Sequence, residues 1–158
     1  MSSFLPQKPL DEELLKNAFA FMEQRCFAPA FLILSDLKSS ERADIQFALG
    51  ICHINAEEYD IAAGYFEQSL TALKRLNPAG SAMAKTDTYR VLRRKEIAES
   101  LYLQPFTMQT ATQFFDITKE NIILALAESC VKSGNIAKAK TLLNSLNGDE
   151  FKDIKARI

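Results

Sequence analysis

The sequence contains no tryptophan, a single histidine and only five glycines and five prolines among its 158 residues. Because glycine and proline are so scarce, the chain has few of the turns that sheets require and can form long uninterrupted helices. Its 19 basic and 20 acidic side chains nearly cancel, so no strongly basic surface is expected to attract nucleic acid or an anionic membrane. A hydrophobic content of 47% is typical of one folded globular domain and excludes wholesale disorder.

Catalytic and cofactor-binding motifs are missing as well. The sequence has no P-loop, GxGxxG, HExxH or GxSxG pattern, which are local signatures of nucleotide, zinc-protease and serine-hydrolase sites. His53 has no carboxylate or nucleophile at a diagnostic spacing, which favours a partly buried structural histidine over a general base. We therefore expect a protein that is not an enzyme, with no catalytic residue, no cofactor and no metal.

Three cysteines, Cys26, Cys52 and Cys130, lie inside apolar helical patterns and form no CxxC pair. An odd number of such residues favours buried, reduced thiols in a cytoplasmic protein. The first residues lack the charged start and continuous apolar stretch of a signal peptide, and no run approaches the roughly 18 apolar residues that span a bilayer. A cytoplasmic location without membrane association is therefore the expectation.

Three segments of the chain share one apolar skeleton at helical spacing. In each, a small residue is followed nine positions later by a large apolar residue, three further on by alanine, and after another four by a second large residue. Alanine lets two helices approach closely, and the large residue one turn later fills the remaining gap. The three copies are Ala18, Phe27, Ala30 and Leu34; Gly50, Tyr59, Ala62 and Phe66; and Ala127, Ile136, Ala139 and Leu143.

This pattern resembles the tetratricopeptide repeat (TPR), a helical hairpin of about 34 residues. The middle copy matches best, whereas the chain departs from the family in having no tryptophan and in carrying Leu37, Ser69 and Leu146 at the late alanine of each second helix. The resemblance implies an all-α fold, a short TPR-like superhelix of helix–turn–helix pairs with about seven to nine helices and an inserted helical segment. A helical bundle without repeats is the alternative.

The spacing of the copies divides the chain. Thirty-two residues separate Ala18 from Gly50, but 77 separate Gly50 from Ala127, so the array is interrupted. We predict an N-terminal tail at 1–10 and a single TPR-like domain at 11–158, with repeats at 11–40, 43–76 and 120–147, an insert at 77–119 and a C-terminal cap at 148–158. Within the insert, a turn at 77–81 precedes a helix over about 83–103 that Pro105 stops, and a shorter apolar element follows at 108–117.

TPR arrays bind partners along a concave groove formed by the first helix of each hairpin, and the resemblance places nine residues of this chain on it. They are Leu15, Phe19 and Met22; Phe47, Ile51 and Ile54; and Leu124, Glu128 and Val131. The lysines and asparagines with which some TPR proteins clamp a partner's carboxylate tail have no counterpart at the matching positions. The resemblance implies a groove for a helical or extended apolar segment of another protein, unless the chain's own insert fills it. The insert residues available for that role are Leu101, Phe106, Phe114 and Phe115.

Protein binding without catalysis, as an adaptor or chaperone, is therefore the predicted function. Small type III secretion chaperones with three TPRs are similar in size, charge and apolar groove. Two alternatives remain: a self-associating structural protein that forms a homodimer, and a helical-repeat RNA-binding protein that uses the basic helix at 85–95. Asp87, Glu96 and Glu99 dilute the positive charge of that helix, which favours a solvated helix face and makes nucleic acid the weaker interpretation.

Overall fold

The computed structural model of the chain describes residues 7–37, 41–76 and 84–158, and every regular element in these ranges is helical. The predicted all-α fold is therefore confirmed. The helices are α1 (Gln7–Glu23), α2 (Phe27–Asp36), α3 (Ala43–Asn55), α4 (Tyr59–Leu76), α5 (Asp87–Ala98), α6 (Met108–Gln113), α7 (Phe115–Lys132), α8 (Ile136–Asn144) and α9 (Lys152–Ala156), with 3-10 turns at Leu101–Leu103 and Asp149–Phe151. The predicted turn at 77–81 and tail residues 1–6 lie outside the described residues.

Three helical hairpins stack side by side in chain order. Helices α1 and α2, α3 and α4, and α7 and α8 pack as pairs, while α2 packs on α3 and α4 packs on α7. The third hairpin therefore stacks directly on the second, although α5 and α6 separate them in the sequence. The intervening segment leaves the stack after α4 and returns at α7.

The three hairpins share one turn geometry. Arg25, Glu57 and Gly134 adopt left-handed backbone conformations, with φ of 61°, 61° and 89°. The residue after each donates its N–H to the carbonyl five positions earlier, at 2.8, 2.9 and 2.8 Å respectively. This bonding satisfies carbonyls at the end of the first helix that would otherwise lack a partner. Each left-handed residue lies at the same position relative to the small residue of its copy, so the turn geometry repeats along with the apolar skeleton.

The skeleton alanines Ala30, Ala62 and Ala139 are all completely buried, as close packing of each helix pair requires. In the middle hairpin the approach is closest at Gly50, where a Cβ atom would lie 2.6 Å from Cδ1 of Phe66. No side chain larger than hydrogen fits there without a shift of the ring. The small and large positions of the repeat therefore meet across the helix pair.

Several element boundaries differ from the sequence expectations. Helix α1 begins at Gln7, inside the predicted tail. Pro9 is compatible with this start because it lies in the first turn, where no intrahelical N–H bond is lost. Helix α7 begins at Phe115 rather than near 120, since Phe115 and Thr118 are buried in the core. The predicted helix at 83–103 has its described start at Asp87 and ends at Ala98, because left-handed Ser100 (φ 57°) turns the chain into the 3-10 turn.

Two cations in the basic run at 85–95 pair with other parts of the chain. Arg93 is only 2% exposed and donates to Asn121 at 2.7 Å and to Glu120 at 3.3 Å, both on α7. Lys85 pairs with the buried carboxylate of Glu150 at 2.8 Å. The prediction of a solvated helix face is therefore wrong for Arg93 and Lys85, whose charges tie the insert to α7 and to the C-terminal segment.

Glu150 is held in place from two sides. Burial acts to raise the pKa of Glu150, but the hydrogen bond and charge of Lys85, with the backbone N–H of Glu150, outweigh it and keep that pKa below its usual value. Gly148 has a φ of 130°, and a Cβ atom there would lie 2.7 Å from Cδ of Glu150. Glycine is required at 148 for both reasons.

The predicted cap packs on α5 and α8 through residues 149–156.

Candidate functional site

Six of the nine residues predicted for the concave groove lie in the core. Their exposed fractions are 8% or less; the six are Leu15, Met22, Phe47, Ile51, Ile54 and Leu124. Phe19, Glu128 and Val131 retain partial exposure. The helical periodicity correctly marked an apolar face, but neighbouring elements cover most of it.

The insert occupies the groove at the second and third hairpins. The ring of Phe106 lies 5.2 Å from that of Phe47, which in turn lies 5.1 Å from Phe66. The hydroxyl of Tyr102 donates to Glu128 at 2.6 Å. Of the two occupants that the sequence left open, the chain's own insert is the one seated here. Of the four insert residues named for that role, Leu101 and Phe114 are exposed instead.

Tyr102 and Glu128 form a polar contact inside this apolar region. Burial, together with the hydrogen bond and negative charge of Glu128, raises the pKa of the Tyr102 phenol. Sequence reasoning did not single out Tyr102, because Glu128 has a partner within its own helix in Lys132, at 3.8 Å, and so gave no signal for a donor from a distant segment. Val131 and Glu128 also line a small cavity of about 160 Å³ beneath the C-terminal segment.

The first hairpin retains an open cavity at its end of the groove. This space has a volume of about 790 Å³ and lies between α1, residues 42–44 and residues 107–109. Leu15, Phe19, Ala20 and Met108 supply its apolar lining, and Glu12, Lys16, Glu23, Arg42, Asp44, Thr107 and Gln109 supply the polar lining. Two of the predicted groove residues, Leu15 and Phe19, therefore line a cavity that the insert reaches but does not fill.

One guanidinium neutralises two of the carboxylates around this cavity. Arg42 donates to Asp44 at 3.1 and 2.8 Å and pairs with Glu12. The hydrogen bond to buried Asp44 is the largest of the influences that raise the pKa of Arg42. Within the described part of the chain, Lys16 and Glu23 make no hydrogen bond or ion pair. Among the described residues of the rim, they are a cation and an anion without a partner beside an apolar interior.

A second cavity, of about 430 Å³, lies between α2 and α3. His53 forms part of its wall, where it stacks on Tyr65 with ring centroids 5.2 Å apart and bonds to Glu58 at 2.9 Å. These contacts fit the structural histidine that the sequence predicts. Cys52 also lines this cavity, and burial raises its pKa to about 11, which keeps the thiol neutral.

The cysteines separate into two classes. Cys52 and Cys130 are buried as predicted, but Cys26 is exposed and the prediction is wrong there. Cys26 follows the left-handed residue of the first turn, and hairpin turns lie at the surface.

Among the described residues, no three histidine, cysteine or acidic side chains come together as metal ligands.

Comparison of this chain with protein-family models, with curated proteins and with solved structures returned no match. None of the helices in the described ranges combines the length and apolarity needed to cross a membrane.

Proposed function

We propose that this protein is a protein–protein interaction module that binds an apolar segment of a partner at the open end of its concave groove. The observation that supports this function is the cavity of about 790 Å³ beside α1, on the face that helical-repeat proteins use for binding. Its volume falls within the range of about 300–1,000 Å³ typical of ligand pockets. An amphipathic helix or extended segment can place its apolar side chains in such a groove.

The chemistry of the lining supports the same partner class. Phe19 and Met108 present apolar surface beside the buried Leu15, and methionine adapts its shape to different side chains. Lys16 and Glu23 carry opposite charges at the rim, so the cavity favours neither a strongly acidic nor a strongly basic ligand. A partner segment with an apolar core and mixed polar flanks matches both features.

We further propose that the chain is a TPR-like adaptor or chaperone. The recurring turn at Arg25, Glu57 and Gly134 and the buried skeleton alanines support this relationship. The narrower reading, a type III secretion chaperone, rests only on similarity of size, charge and apolar groove. A non-enzymatic role and a cytoplasmic location remain predictions from the sequence.

Self-association through the same cavity is the second candidate, because an apolar groove accepts a second copy as readily as another protein. RNA binding receives less support. Arg93 and Lys85 are paired with Glu120 and Glu150, and Arg94 donates to the carbonyl of Asp149 at 2.9 Å. Those cations are engaged within the chain rather than free for phosphates.

A matched pair of α1 variants tests the proposed site. Phe19 lines the cavity, whereas Phe21 lies on the same helix, is exposed and does not line it. We expect a specific partner, identified by affinity capture and mass spectrometry, to bind the wild type and Phe21→Glu but to be lost with Phe19→Glu. Equal capture by both variants, with unchanged circular dichroism, contradicts a site in this cavity.

Sedimentation of the purified protein separates the two candidate functions. A monomer at all concentrations together with Phe19-dependent capture supports an adaptor. A dimer that Phe19→Glu dissociates and Phe21→Glu leaves intact supports self-association instead.

A further inference from the structure

We propose that the open cavity beside α1 is an interface between two copies of this chain, in which α1 of one copy packs antiparallel to α1 of the other about a two-fold axis between residues 19 and 20. This inference rests on the proposed function, because it names an occupant for the same cavity. It goes beyond self-association in general, because it fixes the helix, the direction and the register of the contact.

The cavity side of α1 is one stripe along the helix. Glu12, Lys16, Phe19, Ala20 and Glu23 all line the cavity, and spacings of three, four and seven residues place them on a single helix face. Phe19 is partly exposed and the other four are exposed. The stripe therefore has a partly apolar centre, with a cation on one side of it and an anion on the other.

This stripe is complementary to its own reverse. In two antiparallel copies of α1 with a two-fold axis between residues 19 and 20, Lys16 faces Glu23 of the second copy, and the same contact recurs across the axis. Phe19 meets Ala20 of the second copy, so a large side chain packs against a small one at the centre. Within the described chain, Lys16 and Glu23 have no hydrogen-bond or ion-pair partner, and a second copy provides one for each.

The charges also select the direction of the contact. A parallel pair would place Lys16 opposite Lys16 and Glu23 opposite Glu23, and like charges across an interface repel. Glu12 does not oppose the antiparallel arrangement, because Arg42 of its own chain pairs with it.

Met108 lines the same cavity as Phe19, so the segment at 107–109 adds apolar contact to a helix seated there. One helix face and a short segment from each copy form a small interface, and we therefore expect a dimer that depends on concentration.

Charge reversal tests the register. Sedimentation equilibrium of the full chain is expected to show a reversible dimer, and Lys16→Glu or Glu23→Lys alone to weaken it at least tenfold, since each reversal turns both cross-axis attractions into repulsions. An equimolar mixture of the two single variants is expected to dimerise within threefold of the wild type, because every facing pair is again opposite in sign. Glu13→Lys is the control, since Glu13 is exposed on α1 but does not line the cavity, and it should leave dimerisation unchanged.

A wild type that stays monomeric up to millimolar concentration overturns the proposal, and so does a dimer that the mixture of single variants fails to restore. Should either variant not fold, carbodiimide cross-linking of mixed isotope-labelled and unlabelled wild type decides. A Lys16–Glu23 link between two copies is expected, and its absence overturns the proposal.

A monomeric wild type with Phe19-dependent capture of another protein intact rejects only the second copy as occupant. A dimer that follows the charge-reversal pattern, with no Phe19-dependent capture of another protein, rejects only the adaptor function.

Discussion

At the scale of single residues, the two glycines of the middle hairpin have opposite roles. Gly50 lies where α3 meets α4, and a Cβ atom there would contact the Phe66 ring. Gly64 lies within α4, and a Cβ atom there would have no neighbour within 4 Å. One glycine is therefore required by packing, and the other only increases the conformational entropy that folding must overcome.

Gly50→Ala is therefore expected to destabilise the protein by about 1–3 kcal/mol because it overpacks the helix contact. Gly64→Ala is expected to stabilise it by roughly 0.5–1 kcal/mol. Denaturant unfolding measures both changes. Phe66→Leu combined with Gly50→Ala should cost less than the sum of the single variants, since the smaller side chain relieves the clash. Strict additivity contradicts the proposed contact.

The cysteines give a second prediction at the residue scale. Burial raises the pKa of Cys52 to about 11 and also raises that of Cys130, where the charge of Asp60 adds to the effect. Thiolate is the reactive form, so one thiol, Cys26, should react rapidly with Ellman's reagent at pH 8. The other two should react only after denaturation. Cys26→Ser should abolish the fast phase, and a fast phase that survives it places a second thiol at the surface.

At the scale of elements, the hairpin turn is the unit that repeats. Its left-handed position is glycine only in the third hairpin, while Arg25 and Glu57 adopt the same conformation with a side chain. A residue other than glycine loses roughly 1–2 kcal/mol in this conformation. The turns persist because the paired helices fix both ends of the chain, not because the local sequence favours them.

Glu57→Gly is accordingly expected to stabilise the protein by about 0.5–1 kcal/mol, and Gly134→Ala to destabilise it by about 1 kcal/mol. Thermal and denaturant unfolding measure the two effects. Glu57→Ala is the control, because it removes the carboxylate but keeps the Cβ atom, and it should change stability little. If Glu57→Ala stabilises as much as Glu57→Gly, the carboxylate rather than the backbone is the cause.

At the scale of the whole molecule, the central helix of the stack is more deeply buried than helix α5 of the insert. Residues 43–52 of α3 are all buried; α2 and α4 flank this helix, and Phe106 of the insert packs on Phe47. By contrast α5 exposes Val91 and Leu92 and packs mainly on the C-terminal segment. The centre of the stack is therefore the most protected part of the described chain.

Hydrogen exchange is expected to follow this order. Amides of α3 and α7 should exchange slowest, near the rate set by global unfolding, and those of α5 and α6 should exchange at least tenfold faster by local opening. Peptide-level exchange with mass spectrometry resolves these helices. Equal protection of α5 and α3 would show that insert and stack unfold as one unit.

The sequence by itself determined the helical class, the three copies and the residues at their closest contacts, because helix pairing depends on short, regular spacings. Ala30, Ala62 and Ala139 are buried as their spacing predicts. The interruption between copies also predicts an inserted segment at 77–119, although α7 rejoins the stack from Phe115.

Only the tertiary structure decided which part of the apolar face stays open. Periodicity marks Leu15 and Phe47 alike as groove residues, but only Leu15 lines the open cavity, while Phe106 covers Phe47. That difference depends on where a distant segment returns to the stack, and helical spacing within α1 or α3 contains no information about it. The inward charges of Arg93 and Lys85 escaped prediction for the same reason, since their partners lie on α7 and in the C-terminal segment.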